Sequence, residues 1–123
     1  MGASFSVELK LMPKDEAETI KAINDFIDDM TERKCARFWL EETDRNNLED
    51  LVKVIITDRS YERKGDLYMT DFDASYGWES VMTSFFLEIG PTLEDGSSLR
   101  VYVWDADDED YIEVQNGKAE WIH

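Results

Sequence analysis

The sequence predicts an α+β fold: a single antiparallel sheet of about six to seven strands, with two amphipathic helices packed on one face, in the order β-α-βββ-α-βββ. Three observations carry that expectation. Two segments repeat apolar residues at the helical period, and several short ones alternate apolar with polar residues. Gly and Pro are sparse, six and two copies, which favours regular elements and short connections. A chain of 123 residues fits one domain, spanning 1–123, and at that size a single core holds without staples.

Residues 4–12 alternate, Phe5, Val7, Leu9 and Leu11 against Ser6, Glu8 and Lys10, which predicts a half-buried strand. Pro13 then opens a helix over 14–34, with Asp15, Glu16 and Glu18 in the first turn and Arg33 and Lys34 in the last, as the helix dipole favours. Ile20, Ile23, Ile27 and Met30 form its apolar stripe, with Phe26 at the edge. Residues 35–42 alternate Ala36, Phe38 and Leu40 with Arg37, Trp39 and Glu41 and predict a second strand. Residues 50–58, rich in Val and Ile, predict a third, although 48–56 also fits the start of a helix. A turn over 62–66 leads to a strand at 67–72. Ser75 is placed to cap a second helix over 76–89, whose stripe is Trp78, Val81, Met82, Phe85 and Ile89, and Gly90-Pro91 ends it. Leu99, Val101 and Val103 alternate with Arg100, Tyr102 and Trp104 in a further strand. An acidic loop, 105–110, follows. Asn116-Gly117, between alternating runs at 111–115 and 118–122, is the strongest hairpin signal in the chain.

Charge is the compositional outlier. Twenty-nine acids face thirteen bases, for a net −16. Residues 1–64 carry 15 acids and 11 bases, whereas 65–123 carry 14 acids and only Arg100 and Lys118. Such a surface repels phosphate, so neither direct binding to nucleic acid nor to anionic membrane is expected. No run approaches the ~18 apolar residues of a membrane span, and the expected location is the cytoplasm. A basic protein is the natural partner.

Catalytic signatures are weak, and no enzyme activity, cofactor or metal is expected. The one histidine, His123, is the last residue, which leaves no partner for a nucleophile, and the one cysteine, Cys35, rules out a disulfide framework. Asp105, Asp107 and Glu109 begin like a calcium loop, but its sixth and twelfth positions hold Asp110 and Asn116 instead of Gly and Glu. Asp71 and Asp73 could share a magnesium ion, and they equally suit a solvated strand end. Phosphate-binding glycine loops are absent from the sequence.

Two features point to a protein partner. Acids two apart on a strand stand about 6.5–7 Å apart, close to the spacing of successive phosphates on one strand of nucleic acid. Asp71 with Asp73, and Asp105 with Asp107, have that separation in sequence. Asp25, Asp28, Asp29 and Glu32 on the first helix are spaced similarly. In addition, if Leu99, Val101 and Val103 face the helices, Tyr102 and Trp104 point away, and Trp39 does by the same logic. The uncovered face would then carry Trp39, Tyr102, Trp104 and Trp121, rimmed by Glu41, Asp105 and Glu113, the anatomy of an interface anchor. The expected partner-binding residues are Trp39, Asp71, Asp73, Tyr102, Trp104, Asp105, Asp107, Asp108, Glu109 and Asp110.

In size, charge and lack of catalytic residues the whole chain resembles two groups of small acidic inhibitors. One is the phage-encoded anti-CRISPR and anti-restriction proteins, several of which imitate DNA. The other is the bacterial immunity proteins that neutralise a nuclease toxin. The resemblance implies an inhibitor of a basic, nucleic-acid-handling protein. A general adaptor using the aromatic face, a homodimer through that face, and a small carboxylate- or metal-dependent enzyme are the alternatives.

Overall fold

In the computed structural model, which describes residues 2–56 and 61–122, β1 (Gly2–Lys10) runs through the middle of the sheet. Its alternation decides the layering. Ala3, Phe5, Val7 and Leu9 are buried on one face, while Ser4, Ser6, Glu8 and Lys10 line the other. After β1 come α1 (Glu16–Glu32), α2 (Leu48–Ile56), β2 (Glu62–Lys64), β3 (Leu67–Ser75), α3 (Trp78–Ile89), a 3-10 turn (Gly90–Thr92), β4 (Ser98–Val103), β5 (Asp108–Gln115) and β6 (Lys118–Trp121). The six strands form one antiparallel sheet in the order β2-β3-β1-β4-β5-β6. This is the α+β class expected, and the expected order holds in outline.

The apolar stripes meet in a single core. Ile23, Phe26, Ile27 and Met30 of α1 and Val81, Met82, Phe85, Phe86 and Ile89 of α3 join the inward residues of the strands. Phe26 meets Phe85 edge to face, with ring centroids 5.6 Å apart. Asp15 caps α1 by accepting from the Ala17 N–H at 3.0 Å. At the far end of α1, Lys34 takes the left-handed conformation, and the Cys35 N–H closes onto the Met30 carbonyl. Asn116 and Gly117 both have positive φ, 54° and 82°, as a two-residue hairpin turn requires.

Several elements differ from expectation for physical reasons. Residues 35–42 are not a strand. Their alternation is real, since Ala36, Phe38 and Leu40 are half-buried while Arg37, Trp39 and Glu41 are exposed. The apolar side docks on the helical layer, where Phe38 lies edge to face against Phe26 and Trp78. Residues 48–56 are helical, not extended; Thr57 and Asp58, the end of the expected strand, lie outside the described residues. Asn47 accepts from the Asp50 N–H at 3.0 Å, which starts α2, and five of its nine residues are buried. Burial on nearly every side explains a Val/Ile-rich helix. β2 forms inside the expected turn at 62–66, closed by Gly65 at φ 59°. Ser75 ends β3 instead of capping α3; the N-cap is Gly77, at φ 98°. The acidic loop also shortens. The turn occupies 104–107, and Asp108 already begins β5.

Candidate interface on the open sheet face

Opposite the helices, the outward residues of the strands form a second surface. Strand register assigns its members. Asp71 pairs with Ser6 and Asp73 with Ser4 across β3 and β1, while Ser6 pairs with Tyr102 and Glu8 with Arg100 across β1 and β4. On β5, Glu109 faces Tyr102 and Tyr111 faces Arg100. Trp104, the first residue of the turn after β4, is still tied to β1, its N–H bonded to the Ser4 carbonyl at 2.9 Å.

The central strand makes room for the aromatics. Ser4 and Ser6 are small, so the Trp104 side chain reaches over β1 and its Nε1 donates to Ser6 Oγ at 2.7 Å. The Ser6 hydroxyl in turn donates to Asp71 Oδ1 at 2.5 Å, and the Ser4 hydroxyl to Asp73 Oδ1 at 2.7 Å. The Ser4 N–H donates to Asp105 Oδ2 at 3.3 Å. Tyr102 donates its hydroxyl to Asp107, which pushes the phenol's pKa up from its ordinary value. The Tyr102 and Trp104 rings stand edge to face, 4.7 Å between centroids, and Trp104 remains 58% exposed. A shallow, open depression of about 510 Å³ adjoins this corner, lined by Ser6, Glu8, Glu62, Met69 and Asp71.

The acids divide into two populations. Arg100 contacts Glu109 at 2.7 Å and Glu8 at 3.8 Å, with its guanidinium 4.7 Å above the Tyr111 ring. On α1, Asp25, Asp28 and Asp29 are paired with Lys21, Arg45 and Arg33. Asp71, Asp73, Asp105 and Asp107 are different. All four are exposed, and among the described residues none is ion-paired. Each accepts a hydrogen bond from a neutral donor, which orients the carboxylate without cancelling its charge.

The face therefore unites Asp71, Asp73, Tyr102, Trp104, Asp105, Asp107 and Glu109. It does not include Trp39, which is 65% exposed on the loop that covers the helices. Trp121 is also on the other side, paired with inward-facing Ile112, and Glu41 lies outside the sheet. Asp108 and Asp110 face the helical side as well, opposite Val103 and Val101, because strand alternation starts as soon as β5 does. Partial burial there raises the pKa of Asp110, assisted by the charges of Asp108 and of Glu79 on α3. Ser4 and Ser6 were not expected in the site. Their outward position was legible, but their register against Asp73 and Asp71 was not.

Among the described residues no three His, Cys, Asp or Glu side chains are grouped closely enough to hold a metal ion, and no helix is long and apolar enough to cross a membrane. Compared with known protein families, with curated proteins and with solved structures, the chain has no match.

Proposed function

We propose that this protein is a non-catalytic acidic inhibitor that occupies the nucleic-acid-binding surface of a basic protein, a nuclease or a CRISPR or restriction effector. It would act as a phage counter-defence protein or as the immunity partner of a toxin. The observation that carries this reading is the set of four aspartates, unpaired with any cation among the described residues, around Tyr102 and the exposed Trp104. Asp71 and Asp73 are alternate residues of β3, so their side chains repeat at about 6.5–7 Å, near the repeat of a phosphate backbone. The fixed orientation of the carboxylates lowers the ordering cost of meeting lysines and arginines. The aromatic pair adds apolar contact area, which charge alone would not supply.

The test is capture of partners from the native host, followed by competition. A captured nucleic-acid-handling protein should be released by its own DNA or RNA substrate. Its affinity should also fall steeply as salt rises, because exposed charges are screened beyond about 8–10 Å. Affinity that is indifferent to both salt and nucleic acid would overturn the reading. An adaptor using the aromatic pair is the second reading, favoured by the exposure of Trp104. In that case Trp104→Ala would weaken binding more than reversing Asp105 and Asp107.

A further inference from the structure

We propose that the Trp104 corner of the open face is an arginine-recognition site, taking the guanidinium of a partner protein's arginine between Asp71 and Asp73 on one side and Asp105 and Asp107 on the other. The inference rests on the binding face proposed above and specifies what that face selects.

Hydrogen-bond polarity is the first ground. Four polar hydrogens at this corner are already committed within the chain: the Trp104 indole N–H to Ser6, the Ser6 hydroxyl to Asp71, the Ser4 hydroxyl to Asp73 and the Tyr102 hydroxyl to Asp107. What these groups leave for a guest is aromatic surface and carboxylate lone pairs. The complementary group is a cation rich in donors and lacking acceptors. Guanidinium has five N–H donors and no acceptor, is planar, is weakly hydrated and stacks on aromatic faces; ammonium is compact, strongly hydrated and cannot form the planar fork.

The same sheet face supplies the second ground. Arg100 lies over the Tyr111 ring at 4.7 Å with Glu109 and Glu8 as its carboxylate partners on the flanking strands. Ring, flanking carboxylates and guanidinium thus form one unit built from the chain's own residues. The Trp104 corner repeats the ring and the flanking carboxylates, and among the described residues no lysine or arginine pairs with them. A second copy of the chain is the poorer occupant. It would set two surfaces of the same sign against each other, in a protein of net charge −16.

Titration calorimetry of the full chain with two peptides of equal charge, nona-lysine and the same peptide with a central arginine, tests the site. The arginine peptide should bind about tenfold more tightly, as a cation–π contact in a partly desolvated setting allows. Trp104→Ala should reduce that preference to about onefold while nona-lysine binding persists, and Trp104→Phe should keep part of it. Trp39→Ala, an exposed tryptophan elsewhere, should change neither. Circular dichroism confirms that each variant is folded. Equal affinity for the two peptides, or a preference that survives Trp104→Ala, overturns the arginine site and leaves the acidic-face reading standing. Failure of both peptides to bind at low salt overturns both. A dimer in sedimentation that Trp104→Ala dissolves would assign the corner to self-association and overturn the arginine site.

Discussion

At Gly90, where α3 passes into its 3-10 turn, the backbone runs hard against β6. A Cβ placed there would stand 2.7 Å from the Ala119 Cβ and 3.0 Å from the Ala119 nitrogen. The φ of Gly90 is −47°, so this glycine is required by space and not by backbone conformation. Gly90→Ala should therefore destabilise by about 1–3 kcal/mol through overpacking, read as a lower urea midpoint with unchanged slope. Adding Ala119→Gly should restore part of the loss, because it removes the nearer atom but leaves the backbone nitrogen. Nothing local in the sequence marks this approach, since Gly90-Pro91 reads as a helix stop. Facing directions within one strand are more legible. Tyr102 and Trp104 were expected to point away from the helices because Val101 and Val103 are their neighbours, and they do. Asp108 and Asp110 were lost to the other face because the turn ends at Asp107, a boundary that a run of acids conceals.

Elements were legible where their pattern is long and their caps are local. The α1 stripe and the Asn116-Gly117 hairpin are of this kind, and both stand within a few residues of their expected bounds. Residues 35–42 and 48–56 show what period alone omits. Alternation at 35–42 reports which side is buried, but not whether a neighbouring strand supplies hydrogen bonds. The Val/Ile run of α2 suits a strand equally well until Asn47 and the acids of the first turn, Glu49 and Asp50, are given weight. If the Asn47 cap defines where α2 starts, Asn47→Ala should cost about 1 kcal/mol. Asn47→Asp, which retains the acceptor, should cost much less. Thermal unfolding followed at 222 nm separates the two. A second element-level prediction concerns the C-terminus of α1, where Lys34 holds φ 58°. Lys34→Gly should stabilise by about 0.5–1 kcal/mol, since glycine adopts this conformation without a Cβ clash.

Across the whole molecule the acids differ in what holds them and not merely in number. Acids on α1 are held by Lys21, Arg33 and Arg45, and those near Tyr111 by Arg100. The four aspartates around Trp104 are held by neutral donors. Pairing of this kind depends on which strands lie side by side. The sequence revealed the excess of acid after residue 64, but not that Ser4 and Ser6 would carry two of those acids.

Two carboxylates elsewhere are disfavoured in their charged form, by burial first and by neighbouring acids second. Partial burial, then the charges of Asp108 and Glu79, raise the pKa of Asp110 above its ordinary 3.8. Glu88 is raised above its ordinary 4.5 by partial burial, then by Asp29 and Asp25. For a carboxyl whose folded pKa exceeds its unfolded one, the folded state binds the proton first. Its contribution to stability is therefore complete below the unfolded pKa and is lost as pH rises through the folded pKa. Mild acidification from neutral pH should accordingly raise the urea midpoint, with the gain appearing just above the ordinary carboxylate range. Asp110→Asn removes one of these ionisations. It should be more stable than the parent at pH 7, and the two should converge as pH approaches 4. Because Asp110 lies on the helical side of β5, opposite Val101, the same substitution should leave binding of the arginine peptide unchanged. Asp73→Asn on the open face should weaken that binding, and the contrast between the two variants separates the carboxylates proposed to recognise a partner from those that only strain the fold.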